Sequence, residues 1–153
     1  MLTLYQDTKI SLAGVSFIIP KSFYIVVDDE FCPVKNYGLI LTTQEKNCCI
    51  EVYTDTSDKL SNIRNDFLSI VCDENAYSIH GEVEERMENN MYSIRAEYES
   101  KWYSYFEMHI GQCKGYYIRV NLLITVKKNQ GDIAEIMKRE DVRQFIDSFE
   151  IAE

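Results

Sequence analysis

The chain contains only two histidines, His80 and His109, so any chemistry that needs an imidazole must use one of them. Glu107 lies two residues before His109, which puts both side chains on one face of a strand. A carboxylate beside an imidazole can hold a metal ion or relay a proton, the starting point for a small metal-dependent or hydrolytic enzyme. Neither HxxxH nor HExxH occurs, so a histidine-rich zinc site is excluded and no cofactor is expected. Isolated acid–imidazole pairs seldom make a site without a third group. The reading that carries more weight leaves Glu107 and His109 solvated on the polar face of the sheet, and His80 at a surface or edge.

The cysteines are Cys32, Cys48, Cys49, Cys72 and Cys113, an odd count with no CxxC spacing. That pattern fits neither a disulfide framework nor a zinc ribbon, and it points to a reducing cytoplasm. Cys48 and Cys49 are adjacent in a strand-like run and so read as packing residues on opposite faces. Cys113 sits between Gln112 and Lys114 in an expected turn, where a neighbouring cation can favour a thiolate. With no base near it in the sequence, it reads as a passive turn thiol. GxSxG, P-loop and GxGxxG patterns are all missing from the sequence.

The remaining feature is aromatic. Tyr103, Tyr105, Tyr117, Arg119, Asn121 and Leu123 are expected on one sheet face, and tyrosine with arginine supplies the large amphipathic contact area that recurs in interfaces. Two readings stay open: a binding face for a protein partner, or a face covered by the C-terminal helices. The other face is expected to be core, formed by Trp102, Phe106, Ile118 and Leu122.

These residues lie on four alternating runs between Tyr77 and Val126, whose period of two suits strands and not helices. Upstream, Ile10–Leu12 and Val15–Ile19 flank Gly14 as a hairpin, and Tyr24–Val27 is a short strand. Tyr37–Thr43 and Cys48–Thr54 form a second hairpin across a polar loop. From Ser57 the period changes: Leu60, Ile63, Phe67, Ile70 and Val71 make one helical stripe, with Thr56 or Ser57 as cap. Near the C-terminus Ile133, Ile136 and Met137 share a stripe, while Val142, Phe145, Ile146 and Phe149 fall nearly opposite it. A break near Arg139-Glu140 therefore divides this segment into two short helices, the first with Asp132 and Glu135 as a capping box. The whole reads as one α+β domain, residues 1–153, with an antiparallel meander sheet and helices packed on it.

Two short stretches carry a resemblance. Phe17-Ile18-Ile19-Pro20-Lys21-Ser22-Phe23 looks like the opening strand, proline and aromatic of the PsbP-like fold family, and Phe145-Ile146-Asp147-Ser148-Phe149 looks like its closing short helix. That family groups a photosystem II extrinsic subunit, a Ran-binding nuclear import factor, and bacterial DcrB-like proteins and secretion-effector chaperones. The resemblance implies an α-β-α sandwich and a non-catalytic binding or adaptor role. Asn90 stands before Met91-Tyr92 where a related chain often carries glycine, and no binding residue of those relatives is carried over.

Bulk composition narrows the partners. Sixteen basic against 25 acidic residues give a net charge of -9, whose field repels phosphate backbones, so nucleic acid is not expected. No apolar run approaches the roughly 20 residues that span a bilayer, and membrane insertion is not expected. Lys9 followed by Leu12–Ile19 faintly imitates a secretion signal, but Gly14 and Ser16 break its apolar part and it reads as strands. The leading expectation is a protein that holds a protein partner on the tyrosine face or in a groove beside the C-terminal helices. The alternative is an enzyme centred on His109 and Glu107. A homodimer paired through Tyr37–Thr43 as an edge strand is a third possibility.

Overall fold

Alternation of apolar and polar side chains runs through four successive stretches, and all four are strands. The computed structural model describes residues 2–12, 14–26, 37–43, 45, 48–57, 65–67, 69, 78–88, 91–99, 103–113, 116–126 and 131–151. The strands are β1 (Leu2–Thr3), β2 (Thr8–Leu12), β3 (Val15–Ile19), β4 (Phe23–Ile25), β5 (Tyr37–Thr43), β6 (Cys49–Ser57), β7 (Ser78–Glu88), β8 (Met91–Glu99), β9 (Tyr103–Cys113), β10 (Tyr116–Val126) and β11 (Glu150–Ile151). Helical residues 65–67 and 69 belong to α1, and α2 (Ile133–Lys138) and α3 (Glu140–Asp147) follow β10. The class is α+β with antiparallel sheets.

The large sheet has eight strands in the order β1-β4-β5-β6-β10-β9-β8-β7, and a smaller one has the order β11-β3-β2. β5 is hydrogen-bonded to β4 on one side and β6 on the other. Within Tyr37–Thr43, residues 40–43 are therefore not part of the free edge that the dimer expectation needed. Among the described residues the edges of the large sheet are β1 and β7. β7 is irregular between His80 and Glu84 and carries the exposed carboxylates of Glu82, Glu84 and Glu85. A bulge and charge are both means by which an edge avoids pairing with another chain.

β6 extends beyond the expected Thr54 to Ser57, with Thr56 opposite Ile118 and Ser57 opposite Tyr117. The start of α1, and with it the expected cap at Thr56 or Ser57, lies outside the described residues. Leu60, Ile63, Ile70 and Val71 lie outside the described residues, as does Trp102. Phe67 of α1 is fully buried in a cluster with Ile94, Ala96, Tyr98, Met108 and Ile110 on one face of the sheet.

The opposite face carries the larger core. Ile118, Val120, Leu122, Ile124 and Val126 of β10 pack with Ile50 and Val52 of β6, with the small sheet, and with α2 and α3. Gly14 turns the β2–β3 hairpin at φ 89°, and a Cβ there would lie 2.6 Å from Ile118 Cδ1. The positive φ favours glycine, and a Cβ would also displace the end of the Ile118 side chain.

The C-terminal helices break where the change of phase demands it. Arg139, at φ -63° and ψ 136°, is extended and serves as the C-cap of α2 and the N-cap of α3. This single non-helical residue lets Ile133, Ile136 and Met137 of α2 and Val142, Phe145 and Ile146 of α3 all enter the same core. Asp132 caps α2, its carboxylate accepting from the Ala134 N–H at 2.9 Å. Glu140 and Asp141 lie in the first turn of α3, where negative charge suits the helix dipole.

Four phenylalanines join the two ends of the sequence. Phe17 of β3 stacks on Phe149 at 4.9 Å and meets Phe145 edge-on at 5.8 Å, while Phe23 of β4 meets Phe145 at 5.6 Å. Ser148 Oγ accepts from the Ile18 N–H at 2.9 Å and donates to the Phe145 carbonyl at 2.7 Å. Ser22 Oγ donates to Asp141 at 2.8 Å. Phe145 is fully buried, so Phe145→Ala removes a large side chain from the centre of this contact. It is expected to cost about 3–5 kcal/mol in urea unfolding. A loss below about 1 kcal/mol would show that the cluster is not the tie described here.

Candidate functional site

Strand register decides which side chains meet. Cys113 pairs with Tyr116, so Tyr105 faces Ile124, Glu107 faces Leu122 and His109 faces Val120. Tyr105, Glu107 and His109 therefore lie on the face of the larger core, and Tyr117, Arg119 and Asn121 on the other. The expected single tyrosine face is split in two. Phe106 pairs with Leu123 through its backbone, and its side chain lies outside the described residues.

On the second face, Arg119 Nη1 lies 3.4 Å from Asp66 Oδ2 of α1, and Asn121 is buried. On the first face, the helices cover what the sequence left open. Tyr105 is buried, and Glu107 and His109 are only 3% and 6% exposed. The solvated Glu107–His109 pair expected from sequence is an interior pair. Tyr103 contributes backbone pairing to Val126 and Glu99. Its side chain, with those of His80 and Cys113, lies outside the described residues; Cys113 itself ends β9 and is not in the turn.

A polar row crosses the sheet at this level. Glu84 of β7 pairs with Arg95 of β8, which pairs with Glu107 of β9. Arg95 donates to Glu84 Oε2 from Nε at 2.9 Å, with Nη2 at 2.8 Å, while its Nη1 lies 3.9 Å from Glu107 Oε1. His109 Nε2 is 3.4 Å from Glu107 Oε1 without the alignment of a hydrogen bond, and the imidazole stacks on Phe149 at 5.9 Å. Glu107 Oε2 and both His109 nitrogens have no hydrogen-bond partner among the described residues. Burial, then the neighbouring Glu107, pushes the Tyr105 hydroxyl well above its ordinary range, keeping it a neutral donor. Burial works against the Arg95 charge, but Tyr105, Glu84 and Glu107 outweigh it and raise its pKa further.

Beside this row an open groove of about 380 Å³ separates the strands from the helices. Glu82, Glu84, Arg95 and Glu97 line its strand side, Ala134, Met137, Lys138 and Arg143 its helix side, and Tyr105 and Ala96 complete it. Sequence reasoning missed these charged residues. The usable signal was parity: Arg95 and Glu97 alternate with Ile94, Ala96 and Tyr98, so they had to lie on the face opposite the Phe67 cluster.

The two described thiols, Cys48 and Cys49, offer no competing chemistry. Burial raises Cys48, and burial followed by the charge of Glu51 pushes Cys49 up to about 11. Both are free and suited to packing. No group of three or more metal-ligating side chains occurs among the described residues.

With this geometry in place, the fold can be compared with known proteins. No family model matches the chain, and no curated protein matches it by sequence. Solved structures do match: the chain has the PsbP/Mog1-like fold. Cyanobacterial PsbP (CyanoP) from Synechocystis sp. is 15% identical with a TM-score of 0.58, over 98% of this chain and 95% of its own. LpqN, involved in cell envelope biogenesis of Mycobacterium tuberculosis, is 9% identical with a TM-score of 0.61, over 97% and 91%. The Saccharomyces cerevisiae Ran-binding protein Mog1p is 6% identical with a TM-score of 0.53, over 97% and 96%. At such identities the likeness is one of fold. Among the described residues no helix is long and apolar enough to cross a membrane.

The helices that wall the groove are held by a second charged group. Arg139 grips Asp141 through Nε at 3.1 Å and Nη2 at 2.8 Å, and reaches Glu45 with Nη1 at 2.6 Å. Burial tends to raise Asp141, but hydrogen bonds from Arg139 and Ser22 outweigh it and hold its pKa below the ordinary 3.8. The hydrogen bond from Arg139 lowers Glu45 as well. A carboxylate with a lowered folded-state pKa stabilises the fold above its unfolded value, and that contribution is lost as pH falls through the folded value. Urea midpoints should fall as pH drops below about 5, and Arg139→Met should flatten that acid limb while lowering stability near neutrality by about 1 kcal/mol. An unchanged acid limb in Arg139→Met would remove this junction from the account.

Proposed function

We propose that the protein is a non-catalytic binding or adaptor module with an α-β-α sandwich, which holds a segment of a protein partner in the groove between β7–β9 and α2–α3. The observation that carries this reading is the groove itself, with charged walls and Tyr105 at its inner side. Among the expected binding residues the proposal keeps Tyr105 at the groove and Glu107 and His109 behind it. It leaves Tyr103, Tyr117, Arg119 and Asn121 without a part in this site. A neighbour in fold described as Ran-binding supports a protein partner. The free Cys48 and Cys49 thiols support a reducing cytoplasm as its location.

A photo-crosslinking amino acid at position 134, in the helix wall, should trap a discrete partner in cells. The same group at position 5, beside the opposite edge of the sheet and 98% exposed, should not. Lys138→Glu with Arg143→Glu should lower the yield at position 134 several-fold. Equal trapping at both positions would defeat the proposal.

A second reading takes Glu107 and His109 as an acid–base pair of a small hydrolase, and the unpartnered atoms of these two buried side chains favour it. Turnover of some ester or phosphoester in a broad screen, abolished by His109→Ala, is what it expects. Absence of turnover, or turnover that survives His109→Ala, would dismiss it.

A further inference from the structure

The two walls of the groove carry opposite charge that the fold itself leaves unpaired. On the strand side Arg95 is engaged by Glu84 and faces Glu107, so its charge is already met. Glu82 and Glu97 have no ion-pair partner among the described residues. On the helix side Lys138, in the last turn of α2, and Arg143 of α3 have none either. Glu82, Lys138 and Arg143 are exposed and Glu97 half-buried, so all four are available to a ligand.

We propose that the groove takes an extended polypeptide segment in which basic and acidic side chains alternate, the basic ones turned to Glu82 and Glu97 and the acidic ones to Lys138 and Arg143. The inference rests on the reading of this groove as a protein-binding site and supplies the chemistry of its occupant. Extended geometry follows from the two facing walls of opposite charge. In an extended segment successive side chains point to opposite sides, so alternation in sequence becomes separation of charge in space. The walls also exclude. A wholly basic segment, which the net charge of -9 would otherwise attract, meets Lys138 and Arg143, and a wholly acidic one meets Glu82 and Glu97.

The test uses the full chain, isotopically labelled, and four synthetic octapeptides: alternating Lys-Glu, a Lys block followed by a Glu block, all-Lys and all-Glu. The alternating peptide is expected to shift the amide resonances of Glu82, Glu97, Lys138 and Arg143 and to bind at least ten-fold more tightly than each of the others. Glu82→Lys with Glu97→Lys makes both walls basic and should move the preference to all-Glu by about ten-fold. Lys138→Glu with Arg143→Glu should move it to all-Lys. These substitutions replace exposed or half-buried side chains, and circular dichroism checks that each variant folds. Equal binding of the alternating and block peptides, shifts outside the groove, or preferences unchanged in the variants would overturn the inference. If trapping at position 134 persists while these preferences fail, the groove binds a protein of different chemistry; if both fail, both readings fall together.

Discussion

Phe17, Phe23, Phe145 and Phe149 form the contact on which the rest of the structure depends. The large sheet offers one face to α2 and α3, but α3 is only eight residues long and would be marginal in isolation. It is stable because Phe145 and Ile146 enter the core and Phe149, just beyond it, stacks on Phe17. Polar contacts fix the angle: Ser148 on the backbone of Ile18, and Ser22 on Asp141. Arg139 then ties the start of α3 to Glu45, between β5 and β6. Once α3 is fixed, α2 follows across a one-residue break, and the helix wall of the groove has its place. The packing of Phe149 against His109 extends the same contact to the buried polar row.

That row is an unusual part of an otherwise apolar face. Glu107 and His109 sit where Leu122 and Val120 are their cross-strand neighbours, and a buried polar atom left unpaired costs about 1–3 kcal/mol. Arg95 offsets part of this by bringing positive charge towards Glu107, and Glu84 holds Arg95 in turn. The chain of charges thus runs from the exposed edge strand to the interior.

Local patterns were read well from the sequence because they depend on near neighbours. Tyr37–Thr43 and Val15–Ile19 have the observed limits, and the opposed stripes of Ile133 and Val142 located the break at Arg139. Assignment to faces across a turn was not legible. Reading Gly111 to Gly115 as the turn pairs Ile110 with Tyr116 and sets even residues against even ones. The observed pairing of Cys113 with Tyr116 leaves two residues between the strands and sets odd against even. An odd change in loop length moves every later side chain to the other face, which is how Tyr105 and Tyr117 parted company. Burial of His109 was equally hidden, since it depends on Phe149, forty residues away. The resemblance succeeded for a physical reason: its two stretches are the ones that the phenylalanine contact brings together.

The bond between Ile18 and Ser148 spans 130 residues, and this separation governs the order in which the molecule can be completed. Synthesis delivers the β2–β3 hairpin early, yet Phe17 has no stacking partner and β3 no β11 until the last helix has left the ribosome. Throughout that interval the nascent chain presents an apolar surface matched to a segment not yet made. Closure of the fold is therefore a late, non-local event, the kind that folds slowly and leaves unpaired strands open to wrong partners. The β2–β3 hairpin must wait about 130 residues of synthesis for the segment that completes it.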